Sequence, residues 1–192
     1  MSDIIAAKAR LRATAIERRN GLAAELRRAA AERVCAIGIS FASPPAGAVV
    51  SGFMAIGSEI DPYPLLARLS KEGHRLALPV IAGKGRPLSF RSWSPGAPLA
   101  TRSWGIREPL AEAAEVEPDI LIVPLLAFDA HGFRLGYGAG YYDRTLKRLR
   151  AMKSILAIGL AYEEQEIEAV PHHEEDERLD WVLTPSGPRR AI

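Results

Sequence analysis

The sequence predicts an α/β fold built on a mostly parallel sheet, and three stretches predict it. Residues 48–54 and 74–81 are apolar, strand-like runs separated by a helical segment. That β-α-β order joins parallel neighbours through a right-handed crossover. Residues 119–124, Asp-Ile-Leu-Ile-Val-Pro, are apolar almost throughout, as a strand covered on both faces must be. A chain of 192 residues is read as one domain, residues 1–192, with room for a good core.

Each element has its own warrant. Residues 3–19 carry part of an apolar helical stripe in Ile4, Ile5, Leu11 and Ile16, and Asn20-Gly21 stops it. A second helix, roughly 22–39, is rich in Ala, Leu and Arg, and Ser43-Pro44-Pro45 prevents its continuation. After the first strand comes a loop, Gly57-Ser58-Glu59-Ile60-Asp61. Pro62 then opens a helix running to about Lys71, closed by Gly73. Residues 82–87 are a turn, and residues 88–93 alternate apolar and polar, a strand with one wet face. A Pro- and Gly-containing loop follows, then an acidic surface segment up to Pro118. Residues 141–152 are a helix with Lys147, Arg148 and Arg150 toward its end, where the helix dipole favours cations. Residues 155–160 are a buried strand, 161–180 an acidic stretch, and 180–185 a last short strand. Together these elements predict a three-layer, Rossmann-like sheet flanked by helices.

The stretch with most chemical content is Arg134-Leu135-Gly136-Tyr137-Gly138-Ala139-Gly140-Tyr141-Tyr142-Asp143. It follows the apolar run 119–128 and the His131-Gly132 turn, and it ends on a helix start. Strand, glycine loop and helix N-terminus in that order make an anion site, because glycine lets the backbone approach a ligand and leaves N–H groups pointing at it. The Walker A pattern is absent. Gly136, Gly138 and Gly140 are one residue short of the dinucleotide Gly-x-Gly-x-x-Gly spacing. Lys8 and Arg12, four apart, share one helix face and could grip phosphates, although the spacing also suits a solvated face.

Net charge is +2, too small to argue for nucleic acid. Residues 1–34 hold eight basic residues against four acidic ones, most of them read as a solvated helix face. Cys35 is the only cysteine, so no internal disulfide can form, and its apolar neighbours predict a packed thiol. No apolar run is long enough to span a bilayer, and no apolar leader opens the chain. The expectation is a cytoplasmic protein with no membrane partner. His172-His173 lacks further nitrogen or sulfur donors and is read as a solvated pair rather than a zinc site.

The long run from Arg134 to Asp143, with Pro124, Phe128-Asp129 and Gly132 before it, resembles the central signature of the 5-formyltetrahydrofolate cyclo-ligase family. Lys8-x-x-x-Arg12, Ser58-Glu59-Ile60-Asp61, Ser103-Trp104-Gly105-Ile106 and Leu179-Asp180 fall in the same family order, so the resemblance spans nearly the whole chain. It implies ATP-dependent conversion of 5-formyltetrahydrofolate to 5,10-methenyltetrahydrofolate. It implies ATP contacts from Lys8, Arg12, Arg134, Leu135, Gly136, Tyr137, Gly138, Ala139, Gly140, Tyr141 and Tyr142. The folate contacts it implies are Met54, Glu59, Trp104, Tyr137, Gly138, Gly140 and Tyr141. Asp143 and, more weakly, Asp180 become Mg²⁺ ligands. The N-terminal helices are then expected near the nucleotide site, in a monomer taking ATP and a folate, polyglutamylated or not.

Two other readings compete. A dinucleotide-binding oxidoreductase conflicts with the short glycine spacing. An RNA-binding module built on the basic N-terminal helices conflicts with the near-neutral total charge and the lack of an aromatic RNA motif.

Overall fold

The computed structural model describes residues 2–102 and 105–192. It contains a seven-stranded sheet in the order β11-β10-β9-β6-β1-β2-β3. The strands are β1 (Val49–Ser51), β2 (Arg75–Val80), β3 (Ser89–Trp93), β6 (Ile120–Pro124), β9 (Leu156–Leu160), β10 (Trp181–Thr184) and β11 (Gly187–Arg190). The five strands from β10 through β2 run parallel, and only the edge strands β11 and β3 are antiparallel. The α/β, mostly parallel expectation holds.

Four helices flank the sheet: α1 (Ser2–Asn20), α2 (Ala24–Ile37), α3 (Tyr63–Lys71) and α4 (Tyr141–Met152). Because side chains alternate along a strand, neighbouring residues of the central strands feed opposite cores. Val50, Leu76, Leu78, Ile120, Ile122 and Ile158 pack with Val34 of α2 and Leu65, Leu66 and Leu69 of α3. Val49, Ala77, Leu121, Val123, Ala157 and Val182 pack on the other face with Leu146 and Leu149 of α4. Each fully buried Leu or Ile of this kind contributes about 1.5–3 kcal/mol, so one charged residue in β6 would disrupt the layer its side chain enters.

Asp119 pins the register where β1 and β6 begin. Its Oδ2 accepts the Val49 N–H at 2.8 Å, its own N–H donates to the Val49 carbonyl at 2.8 Å, and Lys153 Nζ donates to Oδ1 at 2.7 Å. At the other end of β1, Gly52 has no room for a side chain, since an added Cβ would lie 2.4 Å from Leu66 Cδ1. α3 therefore sits directly on the point where the chain leaves β1 for the loop carrying Glu59.

Four features differ from the sequence reading. β1 ends at Ser51, so Met54 lies in the loop beyond it. Two small antiparallel hairpins occur where loops were expected: β4 (Leu99–Thr101) with β5 (Arg107–Pro109), and β7 (Ala127–Phe128) with β8 (Arg134–Leu135). Their strands are two or three residues long, too short for an alternating pattern to show. β11 was hidden by Pro188 and by exposed arginines, which an edge strand tolerates.

The β7–β8 hairpin is built by Asp129, whose Oδ1 accepts the His131 and Phe133 N–H groups at 3.0 and 3.1 Å. Its Oδ2 accepts the Val170 N–H at 2.9 Å, and the residue is 3% exposed. At the tip Gly132 adopts φ +82°, with Leu179 O only 2.5 Å from where a Cβ would stand. The hairpin gives α1 its seat. Leu11, Ala15 and Ile16 pack on Leu126, Ala127, Leu135 and Val170, away from the two sheet cores.

Candidate functional site

The site lies beyond the carboxyl ends of β1 and β6, where ligands bind open α/β sheets. Three segments meet there: α1, the loop 52–62 after β1, and the glycine loop 136–140 between β8 and α4.

α1 turns one stripe toward this junction. Lys8, Ala15 and Arg19 are buried and Leu11 and Arg12 are half-buried, positions three, four and seven apart that share a helix face. Arg12 Nε donates to the Gly136 carbonyl at 2.9 Å. An added Cβ on Gly138, at φ +104°, would lie 3.1 Å from the Arg12 guanidinium carbon, so this glycine leaves the space that Arg12 fills. Lys8 Nζ pairs with Asp176 Oδ2 at 2.5 Å.

Arg134 enters from β8 with its side chain 4% exposed and bonds Asp143 Oδ1 at 2.6 Å. It also donates to the Glu177 carbonyl, and the Glu177 N–H donates back to Asp143 Oδ1 at 3.2 Å. Both bonds on Asp143 fall on one oxygen. The carboxylate stands in the first turn of α4, where the helix dipole favours it. Gly140, at φ +66°, turns the loop into that helix. Its neighbours Tyr141 and Tyr142 are half-buried against the α4 core, while Ala139 offers its carbonyl to Arg144. Leu135 is 1% exposed and belongs to the core under α1, so it can meet a ligand only through its backbone.

A second group forms around Glu59, which is 8% exposed. Its Oε2 accepts the Ile56 N–H at 2.8 Å and its Oε1 accepts the Tyr137 hydroxyl at 2.8 Å. Arg19 donates to that same tyrosine oxygen at 2.6 Å and to Ser58 Oγ at 3.0 Å. Burial raises the Glu59 carboxyl above the ordinary carboxylate value, opposed by the Ile56 amide, the Tyr137 hydroxyl and the Arg19 charge. Tyr137 is pushed up to about 12, first by burial and then by the Glu59 charge. Tyr142 is also raised, by burial foremost and by Glu59, against Arg134.

The structure thus brings Lys8, Arg12, Arg134, Tyr137, Asp143 and Glu59 to one junction. Met54 is half-buried against the α2–α3 core in the same loop as Glu59. Trp104 lies outside the described residues. Asp180 makes none of these bonds. It stands at the amino end of β10, where its Oδ2 accepts the Ala157 N–H at 2.7 Å and an Arg150 N–H at 3.2 Å. Among the described residues no group of three or more His, Cys, Asp or Glu is placed to hold a metal. His172 stacks on Phe133 at 3.6 Å between ring centroids, and His173 faces Asp176.

Sequence reasoning missed Arg19, Asp176 and Glu177. Arg19 lies seven residues after Arg12, a helical repeat that puts it on the same face, but Arg18-Arg19 reads as an ordinary basic helix end. Asp176 and Glu177 were lost in an acidic stretch whose contacts are 168 and 43 residues away in sequence.

With this geometry in view, the sequence model of the 5-formyltetrahydrofolate cyclo-ligase family matches residues 4–185. A 5-formyltetrahydrofolate cyclo-ligase of Escherichia coli strain K12 is 35% identical over 145 residues, 71% of this chain and 78% of the relative. One from Mycolicibacterium smegmatis is 33% identical over 147 residues, 72% and 74% of the two chains. The solved 5,10-methenyltetrahydrofolate synthetase of Aquifex aeolicus superposes with a TM-score of 0.80 at 34% identity, covering 95% of this chain and 92% of its own. The synthetase from Mycoplasma pneumoniae shares the fold, with a TM-score of 0.73 at 21% identity over 93% and 98% of the chains.

Proposed function

The chain belongs to the 5-formyltetrahydrofolate cyclo-ligase family and is an enzyme of that kind; from that premise we propose that it closes the methenyl ring of 5-formyltetrahydrofolate at the expense of ATP, between α1 and the glycine loop. The formyl group on N5 is amide-like, and its oxygen leaves poorly. Transfer of the γ-phosphoryl group to that oxygen makes it a good leaving group and releases ADP. N10 of the same molecule then attacks the formyl carbon, a step favoured by proximity. Expulsion of phosphate gives 5,10-methenyltetrahydrofolate.

Phosphoryl transfer asks a protein for positioning and charge neutralisation more than for a nucleophile. Lys8, Arg12 and Arg134 supply the charge, and the N–H groups of Gly136, Tyr137, Gly138, Ala139 and Gly140 supply further donors. Leu135, Tyr141 and Tyr142 frame the same loop. Glu59 is the buried acceptor for the folate, with Met54 in the same loop and Tyr137, Gly138, Gly140 and Tyr141 reaching from the glycine loop; Trp104 is the further folate contact the family likeness implies. Asp143 suits Mg²⁺, which takes one or two carboxylates with phosphate oxygens and water. When bound, that ion would neutralise charge on the phosphates. Asp180 is the second expected ligand and would have to give up Arg150 to serve. The enzyme works as a single domain and a monomer in the cytoplasm.

The observation that carries this reading is the Arg12–Gly136 bond, which places a cation of the N-terminal helix on the glycine loop 124 residues later. The test is the ultraviolet absorbance of the methenyl product. It should rise when protein meets 5-formyltetrahydrofolate with Mg²⁺ and ATP, and stay flat without ATP. A folded protein that gives no rise defeats the proposal.

A further inference from the structure

We infer that Arg19 is a positioning residue for the folate side of this reaction, its buried guanidinium hydrogen-bonded to Tyr137 and ion-paired with Glu59 in one triangle that ties the glycine loop to the loop after β1. The inference rests on the reading of Glu59 as a folate contact. Arg19 is 4% exposed at the last turn of α1. An arginine that deep persists only where its donors and its charge are answered. Nε donates to Ser58 Oγ at 3.0 Å, one terminal nitrogen donates to the Tyr137 hydroxyl at 2.6 Å, and the other faces the Leu125 carbonyl at 3.5 Å and Glu59 Oε1 at 3.9 Å. Ser58 in turn donates to Asn20 Oδ1 at 2.5 Å, which fixes the end of α1 to the same loop. Every partner of Arg19 belongs to a different segment from its own: Ser58 and Glu59 follow β1, Leu125 follows β6, and Tyr137 is in the glycine loop.

The triangle also sets a charge. Burial favours the neutral acid at Glu59, and what opposes it is the Ile56 amide, the Tyr137 hydroxyl and the Arg19 cation. Tyr142 from α4 and Tyr162 beyond β9 lie within reach of the Glu59 charge, and Asp61 lies two residues along the same loop. The Tyr137 and Tyr162 hydroxyls are pushed up to about 12 and Tyr142 is raised as well, so these three stay neutral near pH 7. Arg19 brings a positive charge to this group, and that charge works with the Ile56 amide and the Tyr137 hydroxyl against burial, toward a carboxylate able to accept from a folate N–H. A folate donor arriving at Oε1 displaces the Tyr137 hydroxyl, which remains bonded to Arg19. Occupancy of the folate site is in this way felt by the glycine loop.

The experiment titrates 5-formyltetrahydrofolate calorimetrically, without ATP, from pH 5 to 8. It compares the wild type with Arg19→Met, Arg19→Lys and Tyr137→Phe, with thermal unfolding recorded for each. The ligand's own carboxylates titrate alike in all four. Wild-type affinity should fall on the acid side as Glu59 protonates. In Arg19→Met that fall should move upward by about one pH unit or more, so that affinity at pH 6 drops about tenfold or more while pH 8 is less affected. Arg19→Lys should lie between, and Tyr137→Phe should also move the same way, because the hydroxyl it loses opposes burial at Glu59 ahead of the Arg19 charge. An Arg19→Met profile that superimposes on the wild type in a cooperatively folded variant overturns the inference. If Arg19→Met does not fold, an unshifted acid limb in both Arg19→Lys and Tyr137→Phe overturns it. A wild type that binds no 5-formyltetrahydrofolate at any pH instead sinks the folate reading itself, and this role with it.

Discussion

Arg12 Nε lies 2.9 Å from the carbonyl oxygen of Gly136, and the guanidinium it belongs to fills the space beside Gly138. A helix cation and a backbone loop are thereby set edge to edge before any phosphate arrives. Arg12→Ala should weaken ATP binding about ten- to a hundredfold, the worth of one or two charge-assisted hydrogen bonds. It should leave the melting temperature nearly unchanged, because Arg12 is half-buried and off the two sheet cores. Calorimetric titration of ATP, with and without Mg²⁺, checks it.

Gly138→Ala puts a methyl group into that same space, at φ +104°, a conformation that L residues rarely adopt. The expected cost is about 1–3 kcal/mol, felt as weaker ATP binding and a lower melting temperature. Gly136→Ala, with nothing within 4 Å of its added Cβ, is the control and should bind ATP nearly as the wild type does.

Arg134→Ala should chiefly weaken ATP, and Glu59→Ala should chiefly weaken folate. Arg134→Ala also leaves Asp143 without its cation and frees the Glu177 carbonyl, so it should destabilise the fold by about 3 kcal/mol or less, since Asp143 remains partly solvated. Paired titrations of each variant with each ligand separate the two sides; the reverse pattern of losses would overturn the division of the site.

Asp119 should make the fold acid-sensitive. Burial raises its carboxyl, but the Lys153 hydrogen bond, the Val49 amide and the Lys153 and Arg75 charges together hold it below the ordinary value. A depressed carboxyl contributes stability that is present above its unfolded value, about 3.9, and is lost as pH falls through the folded value. Asp119→Asn should therefore lower stability at pH 7 by about 1 kcal/mol or less, given its partial exposure. It should also flatten the loss of melting temperature below pH 4, which a pH series of thermal melts reads directly.

The core was legible because both faces of the sheet are covered. Strands β2, β6 and β9 are almost wholly apolar, and α4 begins and ends where its tyrosines and basic turn place it. Lys8, Arg12 and the glycine loop were legible as a motif, and their meeting was not, since no local rule relates residue 12 to residue 136. Arg19 was illegible for a different reason. A buried arginine and an exposed one look the same in a sequence until the partners that answer its charge are known, and those partners lie 39 to 118 residues away. The short hairpins escaped because two or three residues per strand carry no period.

α1 is made before every element it rests on. Its apolar stripe rests on residues 126, 127, 135 and 170, and Arg18 reaches the Glu164 carbonyl. At about 5–20 residues per second of synthesis, this helix waits on the order of ten seconds or more for its partners to leave the ribosome. During that time its leucine and isoleucines face the surroundings, a natural opening for a chaperone. The pocket is consequently a product of the finished chain, and nascent fragments that already hold the first three sheet strands have nothing with which to grip a nucleotide.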